Sequence, residues 1–255
     1  MAGRRSPRER LPALHLMPNL VTIVGLCAGL TSIRFVLAER YELAALLIIF
    51  AAVLDGVDGL LARKLNAASP FGAELDTLSD FLNFGVAPGL LVYAYALSDA
   101  GGFGWAFVLV YAISCCLRLA RFNVSRAAPP PAGRVHFIGV PAPAGALMAL
   151  LPVFLSFEDI VPAPAAPTLT ALYLGLIGLL MVSRIRTFSP RSLRISRRQG
   201  GWALIATALI VGLALTRFWL LMVLACAAYG ALVAHGVLPA RLKQAWRARR
   251  GQDED

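Results

Sequence analysis

Long apolar stretches alternate along the chain with short segments rich in arginine, proline or glycine. The apolar stretches lie at residues 20–37, 43–62, 71–97, 103–120, 138–157, 169–182, 202–215 and 218–237. A membrane-spanning helix needs roughly 17–25 apolar residues, so most of these stretches are long enough or nearly so. The pattern predicts an all-α integral membrane protein, a polytopic helical bundle of about eight transmembrane helices. A bundle of six is the alternative, because some of the later stretches fall below that length.

The composition supports a membrane location. Of 255 residues, 58% are hydrophobic, above the roughly 45–50% usual in soluble domains, and the mean hydropathy is +0.71. The net charge of +10 would suit a nucleic-acid partner, but the basic residues flank the apolar stretches and form no recognisable nucleic-acid module. We therefore expect no nucleic acid as partner, and expect attraction to anionic membrane lipid instead.

The distribution of positive charge predicts the orientation. Lysine and arginine collect in short cytoplasmic loops. With the amino terminus in the cytoplasm, an eight-span arrangement puts all of the 24 basic residues in cytoplasmic segments except Arg34, Arg40 and Arg217. Both termini are therefore predicted to be cytoplasmic. The boundaries that follow are a basic segment at residues 1–17, a transmembrane domain at 18–237 and a charged cytoplasmic tail at 238–255.

Acidic residues interrupt the second and third apolar stretches, near their predicted cytoplasmic ends. An aspartate at the centre of a spanning helix costs about 2.5–3.5 kcal/mol on insertion scales, so four of them require compensation. Asp55 and Asp58 are spaced i,i+3, and Asp76 and Asp80 are spaced i,i+4, which puts each pair on one helix face. A tight turn between the two helices would bring the pairs to the same depth. Together they predict an all-oxygen site for hard divalent cations.

The charge of the acids suggests their chemistry. About four negative charges would be balanced by two divalent cations, and ligation by oxygen alone favours Mg²⁺ or Mn²⁺ over zinc. Paired metal ions are a recurring device for phosphoryl transfer, and a carboxylate not fully used on the metals can accept the nucleophile's proton. Asp80, the deepest in its helix, is the candidate general base.

At these residues the chain resembles the CDP-alcohol phosphotransferase family, whose pattern is D-x2-D-G-x2-A-R-x8-G-x3-D-x3-D. The pattern is met without departure by Asp55, Asp58, Gly59, Ala62, Arg63, Gly72, Asp76 and Asp80. The resemblance implies that Asp55, Asp58 and Asp76 ligate two metal ions and that Asp80 ligates one and acts as base. It also implies that a CDP-linked lipid binds beside them, with Asn19, Thr22, Gly59, Ala62, Arg63 and Gly72 lining the nucleotide site. A helix cap is the alternative role for Asn19 and Thr22.

The segments ARKLNAAS, SDFLNFGVAPG, RLARFN, FIGVPAPAG and LMVSRIR further resemble the membrane-integral phosphatidylserine synthases, over residues 18–186. This similarity implies a catalytic core at 18–186, CDP-diacylglycerol and L-serine as substrates, and phosphatidylserine and CMP as products. It implies a bacterial inner-membrane protein whose active site faces the cytoplasm. A homodimer is suggested by the family alone.

The serine carboxylate needs a cationic partner. Our hypothesis is that Arg118 or Arg121 supplies it, with Asn123 nearby. Arg184 and Arg186, in the next arginine-rich segment, are the rival site or instead hold lipid phosphate. The simpler interpretation of Arg118 and Arg121 is that they snorkel to the inner interface.

Other functions stay open at this level. Within the same chemistry, the acceptor could be glycerol 3-phosphate, inositol or another small alcohol. From a different class, buried acids could mark a divalent-cation transporter. A transport path would continue polar residues across the bilayer, whereas the outer halves of these stretches are almost wholly apolar. An enzyme is therefore the favoured interpretation.

Overall fold

The computed structural model describes residues 16–65, 69–127, 139–183 and 200–252. These residues form an all-helical protein with no strand among them, as the apolar pattern predicts. The α-helices are α1 (Met17–Leu37), α2 (Tyr41–Lys64), α3 (Pro70–Phe81), α4 (Ala87–Val92), α5 (Gly101–Ala127), α6 (Ala142–Ala149), α7 (Leu151–Phe157), α8 (Pro167–Val182), α9 (Gly200–Thr216) and α10 (Phe218–Gln252). Helix α10 thus continues unbroken beyond residue 237, where the charged tail was predicted to begin.

Helices α1 and α2 form an antiparallel pair. A tight turn joins them, in which Glu39 has a φ of 58° and Arg40 N donates to Phe35 O at 2.9 Å. The Ser32 hydroxyl donates to Ala44 O at 2.9 Å across the pair near this turn. At the far end of the same pair, Thr22 and Asp58 are in contact. The first two helices therefore lie side by side over their whole length.

Helices α3 and α4 belong to one long helical stretch that contains two π-helical segments. The first, Leu82–Val86, joins α3 to α4, and the second, Tyr93–Leu97, follows α4. A short 3₁₀ turn, Ser98–Ala100, then ends at Gly101, whose φ of 58° reverses the chain into α5. A π-helical segment leaves backbone groups without their usual partners, and the Tyr111 hydroxyl on α5 donates to Phe84 O at 2.6 Å.

The two arms of this hairpin are antiparallel. Asn123 Nδ2 donates to Thr77 Oγ1 at 2.9 Å near one end, and the rings of Tyr93 and Trp105 meet at 5.2 Å near the other. The stretch from α3 to α5 therefore accounts for two of the predicted apolar segments.

Helices α6, α7 and α8 close the bundle. The fifth apolar stretch has two prolines near its start, and its helix, α6, begins only after Pro141. Helix α8 runs antiparallel to α6, with the Tyr173 hydroxyl donating to Met148 O at 2.8 Å. Arg121 Nη1 donates to Val182 O at 2.7 Å, which joins the ends of α5 and α8.

Helices α9 and α10 lie at the edge of this bundle. Helix α10 packs along α6 and α7, with the rings of Phe154 and Trp219 stacked at 5.7 Å and Cys226 Sγ 3.4 Å from Leu147 O. Between residues 205 and 216, α9 has no buried residue. Large apolar side chains such as Leu209 and Leu215 are exposed there.

Several of the helices are long and apolar enough to cross a membrane, which identifies a membrane protein. Four such stretches occur among the described residues: Met17–Leu37, Tyr41–Lys64, Pro70–Ser125 and Phe218–His235. The third contains the reversal at Gly101. Two shorter apolar helices, Pro167–Val182 and Ile205–Thr216, accompany them.

Candidate active site

Three carboxylates meet between α2 and α3. Asp55 on α2 and Asp76 and Asp80 on α3 each offer a ligand oxygen, and these oxygens all lie within 4.8 Å of one another. Helix α2 ends with two basic residues in its last turn, and Ser69 caps α3 by accepting from Gly72 N at 3.0 Å. The short link between these helix ends brings the aspartates of α2 opposite those of α3, as the sequence predicts.

Asp58, the fourth predicted ligand, belongs to the same site. Its side chain is 5% exposed and its Oδ2 accepts a hydrogen bond from Thr22 Oγ1 at 2.8 Å. The hydrogen bond fixes the orientation of the Asp58 carboxylate from a different helix, α1. Asp58 therefore approaches the three clustered carboxylates from the side that faces α1.

All four acids line one small, deep cavity of about 10 Å³. Its remaining walls are Thr22, Gly25, Ala51, Ser79 and Asn83. A cavity of this size holds about one water-sized sphere. The carboxylates around it, of which Asp58 is buried and the other three are half-buried, make an oxygen-only donor set, which suits a hard divalent cation. The residues present therefore fit a metal ion.

A wider pocket of about 200 Å³ opens beside the deep cavity and shares Thr22, Asp58 and Asp76 with it. Its walls include every residue predicted to line the nucleotide site, namely Asn19, Thr22, Gly59, Ala62, Arg63 and Gly72. Pro18, Ser69 and Ala73 complete it. Helices α1, α2 and α3 thus bring six residues that are distant in sequence to one pocket beside the acids.

The geometry does not support a capping role for Asn19 or Thr22. Among the described residues no side chain caps the start of α1, and the Thr22 hydroxyl is 2.8 Å from Asp58 Oδ2 and 3.1 Å from Pro18 O. Asn19 lies against Gly72, where an added Cβ would come 2.6 Å from Asn19 Oδ1. By contrast, a Cβ added at Gly59 would meet nothing within 4 Å, because that position faces open space in the pocket. Glycine at 72 thus permits close helix contact, and glycine at 59 leaves room for a ligand.

The predicted cationic residues differ in their surroundings. Arg118 on α5 interacts electrostatically with Asp80 and Asp55, and its Nε is buried. Arg121 is exposed and donates to the end of α8, as described above, and Asn123 is held by Thr77. Arg118 therefore lies close to the acids. Arg184 and Arg186 lie outside the described residues.

Comparison with known proteins agrees with this geometry. The family model for CDP-alcohol phosphatidyltransferase matches residues 15–185, which hold the acids and the whole pocket. The chain belongs to this family. Helices α9 and α10 lie beyond the matched region.

Three curated relatives share the same name. The chain is 46% identical over 156 residues to the CDP-diacylglycerol--serine O-phosphatidyltransferase of Mycobacterium leprae, a match that covers 59% of this chain and 52% of that protein. The proteins of the same name from Helicobacter pylori strain 26695 and Bacillus subtilis are 38% and 36% identical over 173 residues. Those matches cover 68% of this chain and 72% and 90% of the relatives. The chain thus spans about half the length of the mycobacterial relative.

Three polar residues were not predicted from the sequence: two that line the deep cavity and one that interacts with Arg118. Ser79 and Asn83 line the deep cavity, and Asn83 is 2% exposed. Their spacing of three residues from Asp76 and Asp80 puts them on the same helix face, so periodicity could have identified them. The third, Tyr229, interacts electrostatically with Arg118 from α10. No sequence signal relates Tyr229 to the acids, because only the packing of α10 brings it close.

Proposed function

We propose that this protein transfers the phosphatidyl group of CDP-diacylglycerol to the hydroxyl of L-serine, with phosphatidylserine and CMP as products. The observation that carries the proposal is the cluster of Asp55, Asp76 and Asp80 beside a pocket lined by the family's nucleotide positions. The names of the relatives support serine as the acceptor.

The acids would bind two divalent cations, Mg²⁺ or Mn²⁺. Asp55, Asp58, Asp76 and Asp80 supply only oxygen donors, and the charge of four carboxylates matches that of two such ions. Asp58 and Asp76 line both the deep cavity and the wider pocket, so they would bind metal next to the phosphates of the substrate. Bound cations would stabilise the negative charge that develops on the transferred phosphoryl group and on the leaving CMP.

Asp80 would act as general base. Its carboxylate would take the proton of the serine hydroxyl as the serine oxygen bonds to the phosphorus that carries diacylglycerol. The bond from that phosphorus to the bridging oxygen breaks, and CMP departs with the electron pair. Thr22 would keep Asp58 in position during this step through the 2.8 Å hydrogen bond.

The wider pocket would hold the cytidine nucleotide. Arg63 would lie near its phosphates, and Gly59 and Ala62 would let the nucleotide approach α2 closely. Asn19, Thr22 and Gly72 would form the opposite wall. The lining of the pocket by all six residues supports this assignment.

Arg118 would bind the carboxylate of serine. It interacts electrostatically with Asp80 and Asp55, whereas the Arg121 guanidinium donates to Val182 O and Asn123 bonds to Thr77. Arg121 and Asn123 would then shape the entrance for serine. Arg184 and Arg186 would hold lipid phosphate at the membrane surface.

The membrane arrangement follows from the same proposal. Eight spans with both termini in the cytoplasm would put the acids at the inner surface of the bacterial inner membrane, where a water-soluble acceptor is available. The basic residues Arg63 and Lys64 at the end of α2 support this side. Residues 18–186 would form the catalytic core, between the basic segment 1–17 and the charged tail 238–255, and two copies would form a homodimer.

The experiment is an acceptor panel with purified protein in detergent or vesicles. Release of CMP from CDP-diacylglycerol is measured with L-serine, glycerol 3-phosphate, inositol or no acceptor, each with and without chelator. We expect release that depends on L-serine and on divalent metal, and a lipid product that carries serine. Equal rates with and without L-serine would contradict serine as the acceptor, and preference for another alcohol would identify that alcohol instead.

A further inference from the structure

Three buried side-chain atoms have no hydrogen-bond partner within the described part of the chain. Asn83 Oδ1 belongs to the deep cavity already described, and the other two are Arg118 Nε on α5 and the hydroxyl oxygen of Tyr229 on α10. The two side chains interact electrostatically with each other, and Arg118 also interacts with Asp80 and Asp55. A buried donor left without a partner is costly in a protein interior, and native proteins rarely leave two together.

Packing fixes Tyr229 at this position. On the same part of α10, Cys226 Sγ lies 3.4 Å from Leu147 O, and a Cβ added at Gly230 would come 3.5 Å from Met148 Cε. Helix α10 is therefore seated against α6 on both sides of Tyr229. The family match ends at residue 185, so Tyr229 is a contribution from outside the matched region.

The two donors do not belong to the nucleotide pocket. Among the described residues, that pocket is lined by members of α1, α2 and α3 and by Ser69, the residue that caps α3. Arg118 and Tyr229 come instead from α5 and α10. A ligand held by these two side chains would therefore leave the nucleotide pocket free for CDP-diacylglycerol, as in-line displacement by a separate acceptor requires.

We propose that Tyr229 Oη and Arg118 Nε together bind the carboxylate of the acceptor, so that Tyr229 selects an amino-acid acceptor over an uncharged alcohol. The inference rests on the proposed function. A carboxylate has two oxygens that can accept both donors at once, and the Arg118 charge strengthens the contact. In serine the hydroxyl is separated from the carboxylate by two carbon atoms, so a carboxylate held there would keep the hydroxyl within reach of Asp80.

The test compares Tyr229→Phe with the wild-type protein in the CMP-release assay. We expect the KM for L-serine to rise about 10-fold or more, because a hydrogen bond to a charged group is lost, while kcat and the KM for CDP-diacylglycerol change less than twofold. A second acceptor, L-serinamide, in which a neutral carboxamide replaces the carboxylate of serine, makes the test more specific. Its use as acceptor should be unaffected by Tyr229→Phe, so the preference for serine over serinamide falls.

Tyr95→Phe is the matched control. It removes a tyrosine hydroxyl that bonds to Ser156 at 2.8 Å, away from the acids, and should leave the KM for L-serine unchanged. Equal loss of activity toward serine and serinamide in Tyr229→Phe would indicate a merely structural role and would overturn the inference, as would an unchanged KM for L-serine. Failure of the wild-type protein to use L-serine would overturn the proposed function itself, which is a separate outcome.

Discussion

The burial of polar side chains differs between two regions of the molecule, helices α1 to α8 and helices α9 to α10. In the first region polar and acidic side chains are buried, namely Thr22, Ser32, Asp58, Ser79, Asn83, Ser114 and Thr170. In the second, between residues 205 and 235, Cys226 is the only buried residue that the structure describes. Both regions are apolar overall, but only the first encloses polar chemistry.

The difference separates helices that enclose polar side chains from helices whose surface needs only to suit lipid. A polar atom inside a bilayer protein requires a partner, a ligand or a bound ion, because hydrocarbon supplies none. The first region provides such partners, as in the Thr22 to Asp58 bond. Helices α9 and α10 mostly present apolar surface such as Leu209 and Leu232, and Tyr229 is the exception that we connect with the acceptor.

The largest effect should come from Asp80→Asn. Loss of the general base is expected to lower the rate of CMP release about 10²–10⁴-fold, while binding of CDP-diacylglycerol stays within a fewfold of wild type. Asp99→Asn, an exposed acid in the turn before α5, is the matched control and should retain full activity. Near-normal turnover by Asp80→Asn would remove Asp80 from the base role.

A smaller loss is expected for Thr22→Val, which removes the hydroxyl that orients Asp58. A hydrogen bond to a charged group is lost, so kcat should fall about 10-fold or more, measured by CMP release at saturating substrates. Thr31→Val on the same helix is the control, because the Thr31 hydroxyl donates to Cys27 O of its own helix, at 2.6 Å, rather than to an acid. An equal fall in kcat for Thr22→Val and Thr31→Val would mean that the contact between Thr22 and Asp58 does not contribute specifically to catalysis.

A pair of glycine variants compares the two regions directly. A Cβ added at Gly29 would collide with Asn83 Oδ1 and come 2.9 Å from Leu82 Cδ2, whereas one added at Gly212 would meet nothing within 4 Å. Overpacking of this kind costs about 1–3 kcal/mol. Gly29→Ala should therefore lower the unfolding midpoint in detergent, and Gly212→Ala should leave it unchanged or raise it slightly. Equal shifts in the two variants would contradict the contrast between the regions.

The smallest effect is expected where the regions meet. Glu158 accepts from Arg217 Nη1 at 3.0 Å and from Leu220 N at 3.0 Å, which ties α10 to the end of α7. The Arg217 side chain is 67% exposed, so solvent screens the ion pair. Glu158→Gln should lower the free energy of unfolding by about 1 kcal/mol or less and leave activity intact. Asp159→Asn is the control. If Glu158→Gln lowered the free energy of unfolding by more than several kcal/mol, the contacts of Glu158 with Arg217 and Leu220 would be essential for packing α10 against α7.

The positions of the apolar helices and the proximity of the aspartates could be predicted from the sequence, for a physical reason. Insertion into a bilayer demands long apolar stretches, so the stretch at residues 20–37 corresponds closely to α1, Met17–Leu37. The i,i+3 and i,i+4 spacing of the aspartates depends only on helix geometry, and oxygens of three of the four predicted ligands lie within 4.8 Å of one another. The length of an apolar stretch and the spacing of residues along one helix are local features, so both can be predicted from the sequence.

Features that depend on packing between distant helices escaped prediction. The π-helical segment Leu82–Val86 has no periodic signal of its own, and it is accompanied by the bond from Tyr111 to Phe84 O. The bond between Thr22 and Asp58 needs α1 and α2 in register, and the approach of Tyr229 to Arg118 needs α10 against α6. The number of spans and the side on which the termini lie stay predictions.

The most direct test of the account is the metal dependence of the four-aspartate site. Purified protein is stripped with chelator, and CMP release from CDP-diacylglycerol and L-serine is measured while Mg²⁺ or Mn²⁺ is added back. The account predicts that activity falls to background after stripping and returns with either ion at saturation. A full catalytic rate in the stripped protein would contradict it.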